Sequence, residues 1–204
     1  MKTINKSDRQ YRAMSGLLLS ADQKLIDTTH YVEGYATRFD RYPLYETESG
    51  IVYEKFDPDC FRHTDMSDVI LQFDHAGKVY ARQSNKTLIV RVDGKGLFVA
   101  ADLSKTAAAR DLYDEIQAGM VTKMSWGFRG DDYDYDEATR TIVWRSIKKI
   151  YDVSAVSLPA NNDTEISARS LVDGVIQQAE EERLEREHRI RRLQLLIRLG
   201  ETEL

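Results

Sequence analysis

Between Tyr31 and Pro159, apolar and polar positions alternate with a period of two in run after run, the signature of half-buried strands. "YVEGYATRF" (31–39) and "IVYEKF" (51–56) predict strands, and "RYPLYETESG" between them, with Pro43 and Gly50, predicts a loop. Asp57-Pro58 predicts a helix start, with the aspartate as cap, the proline at the first helical position and a short helix through Cys60 and Phe61. "DVILQFDH" is a compact apolar strand ending at His75, and "AGKVYARQSNK" a loop or a bend. "TLIVRVDGKGLFVAADL" is two β-rich runs split by Asp93-Gly94-Lys95-Gly96, a hairpin signal. The spacing then turns helical: "SKTAAARDLYDEIQAG" puts Leu112 and Ile116 on one face, with Ser104 to cap it and Gly119 to end it. "VTKMSWGFRG" predicts a strand carrying Ser125, "GDDYDYDE" an acidic loop, and "RTIVWRSI" and "KKIYDVSAVSL" two further strands before Pro159. About seven or eight strands and one firm helix predict a mainly β fold, a closed antiparallel β-barrel with helices packed outside it.

The flanks differ. Residues 1–30 are polar and weakly patterned, which predicts an N-terminal arm or an early strand. After residue 170 the text becomes charged, proline-free and helical, with Glu and Arg spaced to support each other along a helix. Ile190, Leu193 and Ile197 make a short apolar stripe there, fitting a solvated helix with a modest docking face or a partner-binding helix. The repeat is too short and irregular for a coiled coil. The predicted organisation is an arm (1–30), a barrel domain (31–168) and a charged helical tail (169–204).

Composition narrows the functional classes. The net charge of −5 leaves no basic surplus to neutralise phosphates, which argues against a nucleic-acid partner. Cys60 is the single cysteine, so no internal disulfide forms and a reducing compartment is expected. The apolar run Leu17–Leu19 is too short for a signal-peptide core or a membrane span, so a cytosolic protein without membrane contact is expected. The glycosylation patterns at Asn5 and Asn85 carry no meaning without secretion.

Several residues can carry chemistry. Ser125 is a small hydroxyl between Met124 and Trp126 on an alternating strand, either a satisfied strand serine or a nucleophile. Among the histidines, His188 lies in the charged tail, His30 precedes the first strand and His63 follows the short helix. His75 ends an apolar strand, a place both held and reachable, as a general base requires. Asp152 shares a strand face with Ser154 and Val156, and a carboxylate there is costly without a partner. That partner is an arginine in a structural pair or an imidazole whose tautomer the carboxylate fixes. Ser125, His75 and Asp152 thus form a candidate nucleophile, base and orienting acid. The N–H groups near Trp126 and Gly127 are candidate oxyanion donors, and Arg129 a nearby charge. Metal readings fail on spacing. His63, Asp65, Asp68, Asp74 and His75 match no zinc pattern, and Asp132, Asp134 and Asp136 lack the glycine and final glutamate of a calcium loop, having Glu137 and Val143 instead. Gly94 and Gly96 belong to a hairpin and not to a phosphate loop.

Taken in order, "VEGYATRFD", "YEKFDPDCF", "ILQFDHAGKVYARQSNKTLIVRVDGKGLFVAADL", "LYDEIQAGMVTKMSWGF" and "IYDVSAVSLPANNDTEI" resemble the tailed-phage prohead (capsid maturation) serine proteases, over about residues 31–168. The most specific pieces are the histidine before the hairpin carrying "GL", the G-x-x-x-x-M-S-x-G-F stretch and the D-V-S-x-V-S-x-P-A strand. The resemblance implies a barrel ringed by helices, similar to herpesvirus assemblin, with His75 as base and Ser125 as nucleophile. Asp152 falls in a slot that often holds glutamate, one methylene longer. It implies a serine endopeptidase that needs no cofactor and works inside the procapsid in the cytoplasm of a host bacterium. Its partners would be the phage major capsid protein with its scaffold segment, and itself, through self-association and autoproteolysis. Restraint until assembly is expected of such an enzyme. The rival expectation is a non-catalytic procapsid scaffold or assembly protein on the same fold.

Overall fold

The computed structural model describes residues 9–15, 17–18, 24–157 and 162–201. Pro159, Asn5 and the rest of residues 1–8 lie outside them. Two strands organise the molecule. β10 (Lys123–Asp136) and β11 (Thr141–Val156) form one long antiparallel hairpin. The stretch predicted as an acidic loop is the second half of β10. Tyr133 and Tyr135 pack against the core while Asp132, Asp134 and Asp136 face solvent, an alternation that the density of charge obscures in the sequence. The two strands predicted over 140–158 are one, β11.

β10 takes one edge of β11. Along the other edge lie β5 (Gly50–Phe56), parallel to Thr141–Trp144, and β6 (Ile70–Phe73), parallel to Asp152–Ala155, with an isolated bridge from Asp65 to Lys149 between them. β4 (Tyr42–Thr47) extends β5, β7 (Ala76–Arg82) extends β6, and β1 (Gln10–Ser15) pairs with the remaining edge of β10. The segments predicted as loops at 41–50 and 76–86 therefore hold strands. Pro43 is tolerated because β4 ends the sheet. The second sheet has the order β2 (Leu17–Leu18), β3 (Tyr31–Arg38), β9 (Gly96–Asp102), β8 (Leu88–Val92). The hairpin predicted at Asp93–Gly96 joins β8 to β9.

Among the described residues neither sheet closes, which corrects the expected antiparallel barrel ringed by helices. The large sheet forks at β11 because two separate strands share one edge, and it mixes parallel with antiparallel pairs. Its ends, β1 and β4, do not pair; α2 (Asn162–Glu201) packs against both and buries Ala168, Leu171, Val172 and Val175. A helix covers the gap that a closing strand would have filled. The charged helix of the C-terminal segment is thus present, and residues 181–198 of it are exposed, Ile190, Leu193 and Ile197 included. Among the described residues α2 and α1 (Ala107–Gln117) are the only α-helices. α1 is capped by Thr106, whose hydroxyl accepts from the Ala109 N–H at 3.1 Å, two residues after the predicted Ser104, and it ends before Gly119 at φ 74°. The predicted start at Asp57-Pro58 is a single 3₁₀ turn, Pro58–Phe61.

Both sheets and both helices bury side chains in one core. Its centre is aromatic: Phe56 meets Trp126 and Phe128 edge-on at 5.3 and 5.7 Å, and Phe128 meets Trp144 at 5.6 Å. One ionic network crosses it. The buried Glu54 carboxylate accepts two bonds from the Arg12 guanidinium, at 2.6 and 2.8 Å, one from Trp144 Nε1 at 2.8 Å, and one from the Tyr42 hydroxyl. β1 is therefore bolted to β5, β4 and β11 by a fully satisfied buried charge. Removing one partner of such a pair strands the other. Arg12→Ala is expected to lower unfolding free energy by about 3–5 kcal/mol, read by urea denaturation.

Candidate active site

The registers of β1, β10 and β11 place a single row of side chains on one face. Ala13 pairs with Ser125 and Ser125 with Ser154; Tyr11 pairs with Gly127 and Gly127 with Asp152. Directly opposed residues project to the same side of a sheet, and so do residues two apart. Ser125, Asp152 and Ser154 therefore share a face, as does Tyr11.

His75 reaches that face from the side. β6 and β7 are joined by a two-residue loop, Asp74-His75, between Phe73 and Ala76. Both loop residues have positive φ, 46° and 58°, as a type I′ turn demands. Asn-Gly is the usual choice, but Asp and His are the side chains that enter this region most readily after it. The turn is tied down at several points. The Asp74 N–H donates to the Ala155 carbonyl at 3.1 Å, the His75 N–H donates to Ser154 Oγ at 3.2 Å, and the Asp74 carboxylate accepts from the Ser157 N–H and hydroxyl, each at 3.4 Å. Parallel pairing of β6 with β11 brings the turn to the end of β11, beside these partners.

The three candidate residues meet. Nδ1 of His75 lies 2.5 Å from Asp152 Oδ2, and Nε2 lies 2.5 Å from Ser125 Oγ. A carboxylate only accepts, so Nδ1 carries the hydrogen and Nε2 is left to accept from the serine hydroxyl. The site is closed: Ser125 is 1% exposed, Asp152 0% and the His75 side chain 6%. The Tyr11 ring covers the imidazole, 4.4 Å centre to centre.

Two partners of Asp152 are new relative to the sequence reading. Ser154 donates its hydroxyl to Asp152 Oδ2 at 2.9 Å while accepting from the His75 backbone, so one side chain holds both acid and histidine. Their shared strand face was legible, but not the bond. Arg9, just before β1, pairs through Nη2 with Asp152 Oδ1. The arginine and the imidazole, read as alternatives, are both present, one on each carboxylate oxygen. Nothing in residues 1–30 marks Arg9 out, because no periodicity places it.

Burial, followed by the charge of Arg9, lowers the His75 pKa from the usual 6.5 to about 4. Asp152 by itself would favour the imidazolium, but its charge is already shared with a guanidinium. The ring is neutral at neutral pH, the form that accepts a proton. Trp126 and Gly127, the residues whose N–H groups are candidate oxyanion donors, are paired with β1 on one side and β11 on the other. Arg129 sits beyond a bulge, opposite Lys149. His63 and His188 are exposed, and His30 packs edge-on against Tyr113 at 4.9 Å. No cluster of metal-ligating side chains occurs among the described residues.

This arrangement lies within residues 19–178, which match the profile of the caudovirus prohead serine proteases, with Arg9 and Tyr11 just outside it. The chain belongs to that family. It is 33% identical over 84 residues to the prohead protease of Enterobacteria phage HK97, covering 41% of this chain and 37% of that one. It is 26% identical over 109 residues to the prohead protease of Escherichia phage T5, covering 53% of this chain and 50% of that one. The matched part thus spans half or less of the length of either relative. No solved structure matches the chain. In this member of the prohead proteases, histidine, serine and aspartate come from the β6–β7 turn, β10 and β11.

The titration of His75 has a consequence for stability. An unfolded His75 titrates near 6.5 and the folded one at about 4, so between these values the unfolded chain binds more protons. Stability contributed at this position is full above about pH 6.5 and is lost progressively as pH falls toward about 4. Urea unfolding of the wild type and of His75→Gln across this window is expected to show a difference that shrinks as pH falls; a difference independent of pH would contradict a neutral buried imidazole.

Proposed function

We propose that this chain is a serine endopeptidase acting in procapsid maturation. The observation that carries this reading is the unbroken line Ser125 Oγ, His75 Nε2, His75 Nδ1, Asp152 Oδ2, with 2.5 Å at each gap, inside the span that matches the family. His75 would take the hydroxyl proton as Ser125 attacks the scissile carbonyl, then return it to the departing amine. Asp152 would hold the tautomer and stabilise the imidazolium, and Ser154 would hold Asp152. Water would then hydrolyse the acyl-enzyme with the same base.

The substrates proposed are the phage major capsid protein with its scaffold segment, and the chain itself, within the procapsid in a host bacterium. The names of the two phage relatives support that direction. Latency fits the burial of Ser125: a peptide reaches its hydroxyl only after a covering group moves. The exposed distal part of α2 is a suitable surface for self-association or capsid docking. Among the described residues no helix is long and apolar enough to cross a membrane.

The second reading, a non-catalytic assembly module, draws on the same burial of Ser125. Labelling with a serine-directed phosphonate separates the two when the capsid protein is co-expressed. Wild-type protein is expected to be labelled and to cleave the capsid protein, and Ser125→Ala to do neither. Label retained on Ser125→Ala would move the nucleophile elsewhere, and absence of both label and cleavage in the wild type would favour the assembly module. Asp152→Asn, measured by the rate of capsid-protein cleavage, is expected to remain folded and to turn over about 10³–10⁴-fold more slowly. Near-normal turnover would remove Asp152 from the reaction.

A further inference from the structure

Asp152 divides its two oxygens between two different nitrogen bases. Oδ2 takes His75 Nδ1 and the Ser154 hydroxyl, and Oδ1 takes the Arg9 guanidinium. Arg9 is held in place by rings as well as by charge. Its guanidinium carbon lies 5.1 Å from the centre of the Tyr11 ring and 4.7 Å from that of Tyr151. The room for it comes from Gly127, which pairs with Asp152 across the sheet. A Cβ at Gly127 would lie 2.5 Å from Asp152 Oδ1, 2.8 Å from Arg9 Nε and 2.9 Å from Arg9 Nη2, closer than real contacts allow. Gly127 is not among the glycines of positive φ, so it is space and not backbone conformation that requires glycine here.

We propose that Arg9, admitted by Gly127, adds to burial in keeping His75 unprotonated by sharing the Asp152 carboxylate, and thereby extends the acid limit of catalysis. The effect on His75 rests on geometry alone; its kinetic consequence rests on the peptidase reading. A carboxylate beside an imidazole favours the imidazolium, and a guanidinium on the same carboxylate opposes it, because the pair presents little net charge to the ring. The charged and titratable groups facing His75 are Asp152 from β11, Arg9 and Tyr11 from the N-terminal strand, and Asp74 in its own turn. Asp74 is engaged by Ser157, and Lys149, further back on β11, sits over the far ring, Tyr151. Arg9 is thus the cation that meets the acid of the site. It is a positioning residue, acting on the reaction through Asp152 and His75.

The test is the imidazole titration of His75 by NMR, assigned by loss of its signals in His75→Gln, together with the pH profile of kcat/KM on capsid protein. In Arg9→Gln the His75 midpoint is expected to rise by about one pH unit or more, and the acid limb of kcat/KM to rise with it. Arg9→Lys, which keeps the charge, is expected to hold the midpoint close to wild type. Arg9→Met, which keeps the aliphatic stem and removes the charge, should move it as Arg9→Gln does and serves where that variant does not fold. An unmoved midpoint in a folded Arg9→Gln or Arg9→Met would overturn the proposal. The NMR readout needs no turnover. A raised midpoint without phosphonate labelling would keep the role of Arg9 and sink the peptidase reading; labelling with an unmoved midpoint would do the reverse.

Discussion

A carboxylate with no exposure to water must be paired or lose its charge, and Asp152 is the group on which this molecule turns. It is paired three times: by Arg9 before β1 and His75 in the β6–β7 turn, both distant in sequence, and by Ser154, two places along its own strand β11. The two distant partners arrive only if β1 and β6 are in register. Slipping either by one residue turns alternate side chains to the opposite face and takes the arginine or the imidazole from the acid. The candidate site is therefore also a register lock.

Arg9, just before β1, and Arg12 within it are three positions apart, a spacing that on extended chain projects side chains to opposite faces. Arg9 enters the site face, and Arg12 enters the core and binds Glu54. Arg12 also lies over the Phe128 ring at 5.6 Å, two residues from the partner strand's Trp126. One short segment, residues 9–12, thus neutralises two buried acids on the two sides of the sheet. Lifting β1 away would uncover Ser125 and Tyr11's partner His75, but would strand Glu54 as well. Opening of the site is for that reason easier by a local movement of Arg9 and Tyr11, at the end of the strand, than by loss of the whole strand.

The sequence was legible where local pattern and structure agree. Strands β3, β5, β6, β8 and β9, helix α1 and the Asp93–Gly96 hairpin follow from alternation and turn residues. His75, Ser125 and Asp152 emerged as candidates because each breaks an apolar pattern at a strand position or strand end, and an ordered set of motifs supported them. The open architecture was not legible: strand counts do not say that β5 and β6 share one edge of β11, and no residue announces that α2 spans β1 and β4. The strands at 42–47, 76–82 and 131–136 were hidden by proline, by exposed edge composition and by aspartates, since edge and solvent-facing positions tolerate what central strands do not. Arg9 was invisible because pairing across 143 residues leaves no trace in local spacing.

The arrangement around Asp152 imposes a compromise on any proton transfer through His75. A base of low pKa stays neutral, and so available, down to mildly acidic pH, but it is a weaker base and draws the proton from Ser125 less strongly. On the proposed role Arg9 would act in both directions, preserving the proton-accepting form of the imidazole while weakening it as a base. Moving the guanidinium a few ångströms off Oδ1 would return the full carboxylate charge to the ring and favour the imidazolium that forms during attack. The guanidinium lies against the same Tyr11 ring that covers the imidazole, so on the proposed reading cover over the site and strength of its base meet at one pair of side chains.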